Sequence, residues 1–210
     1  MGYMKYLQQV LLKDYSRADE ATRAKAAENL IDACSIACAA LAVQPVPTLE
    51  LAIMPIQAGM VLGIGHIYGH DISRERAMEI VTEIAGAVGI SIVARQTLVT
   101  ISKFLAPIVA GLISAPYVFG VTRGMGKAAI YYFQHTDLDM TQIKNIFNRA
   151  KQEAETHFDP RKVEEAAQEQ QQELEQDAVT RMEQLRLLRD KGLISAEEYE
   201  AKRKEILAGL

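Results

Sequence analysis

His66 and His70 stand four residues apart, the spacing that places two imidazoles on one face of a helix, and Asp71 adds a carboxylate beside the second. A metal site built on this trio needs further ligands and a helix that continues through Gly69. The other reading is a helix end whose polar rings reach solvent. No metal is therefore assigned. Arg123-Gly124-Met125-Gly126-Lys127-Ala128 has the look of a phosphate loop. That motif needs four residues between its first glycine and Gly-Lys, then a hydroxyl for magnesium. Gly120 is one residue too early and Ala128 has no hydroxyl, so close helix packing is the expected role of these glycines.

Glu50 is the sole formal charge between Ala33 and His70. A carboxylate in such surroundings must meet a cation such as Arg95 or Lys103, sit at a helix N-terminus, or shift its pKa. Ion handling in a pore is one reading of it; an acid in the first turn of a helix is the other. Cys34 and Cys38 share a helical face with poor geometry for a disulfide, and read as small core residues in a reducing, cytoplasmic compartment. There is no Gly-x-Ser-x-Gly, no His-Glu-x-x-His and no clustered cysteine motif. The sequence thus offers no residue for catalysis and no cofactor motif, and the expectation is a non-enzymatic protein.

The elements that must position these residues are helices. Of 210 residues 49% are hydrophobic but only 6% aromatic, with no Trp. The apolar content is carried by Ala, Leu, Ile and Val, which suits closely packed helices. A net charge of -4 argues against a general affinity for nucleic acid. Charge is also uneven: residues 134–210 hold 17 Asp and Glu against 12 Lys and Arg, whereas 1–133 hold 10 against 11.

Met4, Leu7, Val10 and Leu11 predict an amphipathic helix within 1–15, able to cover a core or lie on lipid. An apolar helical domain is expected over 16–134. Within it Ser16-Arg17-Ala18-Asp19 reads as a capping box for an Ala-rich helix to about Val43, which Pro45 and Pro47 stop. The next helix is placed from about Thr48 through the charge-poor 51–70. Asp71 or Ser73 can cap another to about Arg95. Residues 104–122 are an uncharged stretch of 19, about bilayer length, interrupted by Pro107 and Pro116. The composition turns charged and Gln-rich after Phe133, which places a boundary near 135–139 and a charged helical connector over 135–181. Asp139 and Asp159-Pro160 supply helix starts there. Over 182–210, Lys191-Gly192 and the box Ser195-Ala196-Glu197-Glu198 predict a helical hairpin. Its apolar residues Leu185, Leu188, Leu193, Ile194, Tyr199, Ile206 and Leu207 need a second copy or another surface.

Residues 25–134 resemble the bacterial domain of unknown function number 697. The likeness is carried by Pro45-Val46-Pro47-Thr48-Leu49-Glu50, by Gln57 and Met60, by Ile67 through Ser73, and by Gly126 through Phe133. Residues 182–210 look like the short C-terminal domain found at the ends of many bacterial proteins, through Met182-Glu183-Gln184-Leu185 and Leu188 through Tyr199. The first family occurs in YcjF-like inner-membrane proteins and beside some Era-like GTPases. The resemblance implies oligomerisation or membrane-linked recruitment, with a GTPase as a partner. The sequence-level expectation is an all-α, membrane-associated homo-oligomeric scaffold or adaptor at the cytoplasmic face of, or within, the inner membrane. A soluble helical interaction protein and a membrane pore are the alternatives.

Overall fold

A computed structural model describes residues 3–43, 53–89, 107–190 and 195–208, without the side chains of 107–114 and 208. Every regular element among them is an α-helix. In chain order they are α1 (Tyr3–Leu12), α2 (Glu20–Val43), α3 (Ile53–Ile67), α4 (Arg74–Val88), α5 (Pro107–Gln134), α6 (Met140–Thr156), α7 (Pro160–Asp190) and α8 (Ala196–Ala208). The chain forms two compact units, Met1–Ala167 and Gln168–Leu210.

In the first unit α2 and α5 run antiparallel, as their polar ties show. Gln134 Nε2 donates to Glu20 Oε1 at 2.8 Å, Lys127 pairs with Glu28, and Arg123 pairs with Asp32. α3 packs against both α2 and α5 and runs parallel to α5: Gly63 faces Leu30, Gln57 Nε2 donates to Thr122 Oγ1 at 3.1 Å, and Gly65 faces the Phe133 ring. α6 returns along α5, with Phe147 against Gly124 and Lys151 4.7 Å over the Tyr117 ring. α1 lies along α3, with Leu7 over Gly59 and Gly63. Leu30, Ile31, Met60, Ile64, Ile80, Ile84, Met125, Ile143 and Phe147 form the buried centre. Each such side chain contributes about 1.5–3 kcal/mol.

Gly124 permits the α5/α6 approach: a Cβ there would lie 2.9 Å from the Phe147 carbonyl oxygen. Pro116 is inside α5 and Pro107 begins it, at the position where a missing N–H costs least.

Local signals are partly redirected. α2 starts at Glu20, so its cap is Asp19, whose carboxylate accepts the Thr22 amide at 2.8 Å. Ser16 is not the cap; its own amide donates to Asp14 Oδ1. Ser73 caps α4 by accepting the Arg76 amide, and the helix stops at Val88 rather than near Arg95. Gly89, at φ 78°, takes the left-handed conformation that closes it and donates to Ala85 and Gly86 carbonyls. Asp139 caps α6 through the Thr141 amide. The change of composition at 135–139 is not the edge of the bundle. Ile143, Phe147, Ala150 and Ala154 form a buried stripe on α6, and Val163 joins Ala39, Ala40 and Ala115 in a second cluster. An amphipathic helix shows a charged exterior in its composition while its narrow apolar face belongs to the core.

In the second unit Leu185 is buried and Met182, Tyr199 and Ile206 are half-buried. The Arg189 guanidinium stands 4.5 Å over the Tyr199 ring. Glu198 N donates to Ser195 Oγ at 3.1 Å while Ser195 N donates to Glu198 Oε2 at 2.8 Å, a reciprocal capping box.

Candidate functional site

α3 ends at Ile67, and Gly69 at φ 82° turns the chain before His70. His66 and His70 therefore do not share a helix face. His66 Nε2 lies 2.9 Å from the Lys13 carbonyl oxygen, fastening the end of α1; His70 Nε2 lies 2.8 Å from the Phe133 carbonyl, fastening the end of α5. His66 meets the Tyr15 ring edge-on and His70 lies against Phe133. The two imidazoles act as clasps between distant segments. Among the described residues no group of three or more His, Cys, Asp or Glu is arranged to hold a metal, Asp71 included.

The Arg123–Ala128 segment lies in the interior of α5 and forms no loop. Arg123 pairs with Glu28 and Asp32, and Lys127 pairs with Glu28, so both cations are engaged across the α2/α5 contact. A comparable network joins α4 to α5. Arg76 meets Glu79 and Glu83 at 2.8 Å each and donates to Tyr132 Oη at 2.7 Å, and Tyr132 donates to Glu83 at 3.1 Å. Burial first, then Glu83, raises the Tyr132 phenol above its ordinary value. Periodicity does not reveal either network, because each depends on residues far apart in the chain.

Cys34 and Cys38 are buried in the α2 core. Burial, and secondarily Cys38, pushes the Cys34 thiol well up. Glu50, Arg95 and Lys103, and with them the pore reading, lie outside the described residues, as do Leu193, Ile194 and the Lys191-Gly192 stop. Of the expected tail contacts, Leu185 is buried, Tyr199 and Ile206 are half-buried, and Leu188 and Leu207 are exposed.

The described residues form a clasped, charge-tied bundle and a small helical unit that leaves Leu187, Leu188 and Leu207 exposed. Residues 6–156 match the family described as domain of unknown function DUF697. The chain belongs to that family. The DUF697 match runs from inside α1 to the end of α6, beyond 25–134 in both directions, and so takes in the helices that close the bundle. Residues 180–207 match the short C-terminal domain, SHOCT, which coincides with the hairpin. No curated protein and no solved structure matches this DUF697 chain.

Proposed function

We propose that this protein is a non-enzymatic, membrane-associated adaptor that assembles with copies of itself through its C-terminal hairpin. The observation that carries the reading is where large apolar side chains are left exposed. Leu174, Val179, Leu187, Leu188 and Leu207 belong to the small unit Gln168–Leu210, against Met4, Leu12 and Met140 in the bundle. A unit of that size buries too little surface of its own, and a second copy is the simplest cover. Support for membrane association comes from α2, which is long and apolar enough to cross a bilayer, and from the uncharged lengths of α3 and of α5 before Arg123. A GTPase is the protein partner suggested by the family's company.

Removal of 182–210 tests the joining role, with mass measured by light scattering. The truncated chain should form a smaller assembly, and so should Leu187→Asp with Leu188→Asp, which alters exposed positions only. An undiminished assembly in both would place the contacts in the bundle.

A soluble interaction protein is the second reading, favoured by one observation: 56% of the most apolar stretch of α2 is buried inside the bundle. Flotation with liposomes before and after an alkaline wash separates the two. Full recovery of the protein in the vesicle-free fraction selects the soluble reading.

A further inference from the structure

α7 is one unbroken helix whose first turns pack into the bundle: Val163 is buried with Ala39, Ala40 and Ala115, and Ala166 and Ala167 lie against them. Beyond Ala167 the helix belongs to the second unit. There Leu174, Arg181 and Leu188 follow one another at seven-residue intervals, about two turns each, and so share an arc. Leu174 is 38% exposed, Leu188 40%, and the Arg181 side chain 64%. The buried Leu185 and half-buried Met182 lie to one side of this arc.

Charge along the same stretch is asymmetric. Residues 168–177 carry Glu169, Glu173, Glu175 and Asp177 and no base, whereas 178–190 carry Arg181, Arg186 and Arg189 against Glu183 and Asp190. All of these are exposed and keep their charges. The helix is therefore acidic before Ala178 and weakly basic after it.

We propose that α7 pairs with α7 of a second copy in the antiparallel sense, centred on Arg181. Leu174 of each copy then lies beside Leu188 of the other. The acidic stretch of each helix runs along the basic end of its partner, whereas a parallel pair in register would set four acids against the same four. At the centre each Arg181 keeps its own Asp177 at 2.9 Å, which offsets the repulsion between the two arginines. Charge complementarity thus selects a second copy in this orientation. The proposal rests on the self-assembly reading above and gives it a polarity and a register.

The test is disulfide formation in the full chain under mild oxidation. The unaltered protein is the control, since Cys34 and Cys38 are buried. Arg181→Cys should cross-link to itself. Leu174→Cys and Leu188→Cys, co-expressed with a size tag on one, should give a mixed disulfide exceeding either homodisulfide about tenfold, because like positions stand about 21 Å apart in the antiparallel pair. Homodisulfides at 174 and at 188 in excess of the mixed product would mean parallel pairing and overturn the proposal while leaving self-assembly intact. So would failure of Arg181→Cys to cross-link at unchanged assembly mass, which would place the contacts on another face. An unaltered protein that light scattering shows to be monomeric removes both the proposal and the reading beneath it.

Discussion

Gly126 and Ile31 meet at the crossing of α5 and α2: a Cβ on Gly126 would lie 2.5 Å from Ile31 Cγ1 and 2.8 Å from its Cδ1. The two helices are held this close by the absence of one methyl group, because Ile31 is fully buried and has no space into which to retreat.

Gly126→Ala should therefore destabilise the fold by about 1–3 kcal/mol, despite the better helix propensity of alanine. Ile31→Ala alone should cost about 2–5 kcal/mol through the cavity it leaves. Denaturant titration of the double variant should give less than the sum of the two costs. Strict additivity would mean that the pair does not share this contact.

Gln57 and Thr122 form a buried side-chain pair in apolar surroundings. Thr122→Val keeps the shape and leaves the Gln57 amide without that acceptor, so it should cost about 1–3 kcal/mol. Adding Gln57→Leu should recover part of that loss. A double variant less stable than Thr122→Val would show that the pair contributes beyond its own satisfaction.

Asp19 caps α2, and its hydrogen bonds from Thr22 hold the carboxyl below its ordinary value of 3.8. A depressed folded-state pKa means stability that is fully present above the unfolded value and lost as pH falls through the folded one. Acid titration of stability should thus show a loss below about pH 3.8 that Asp19→Asn diminishes, since asparagine caps without titrating. The same acid slope in both proteins would remove Asp19 from this role.

Cys34 and Cys38 should resist thiol reagents in the native protein, because both are buried and the Cys34 thiol is pushed upward. Reaction in native buffer should follow the unfolding rate and become rapid in denaturant. Immediate native labelling would contradict the packing of α2 described above.

The sequence by itself determined the helical class, the starts of α4, α6 and α8 at Ser73, Asp139 and Ser195, the hairpin and the family resemblance. These are local properties: a cap is satisfied within three residues and an amphipathic face repeats within two turns. Tertiary structure decided what meets what. His66 and His70 separated because α3 ends between them, and each found a carbonyl in a distant segment. The glycines of Arg123–Ala128 became contact points for Ile31 and Phe147, which lie on other helices. α6 joined the bundle although its composition is polar, since only Ile143, Phe147, Ala150 and Ala154 need face inward. The physical reason is range: hydrogen bonds along one helix are specified by neighbours in the chain, whereas steric fit between helices exists only once separated segments have packed.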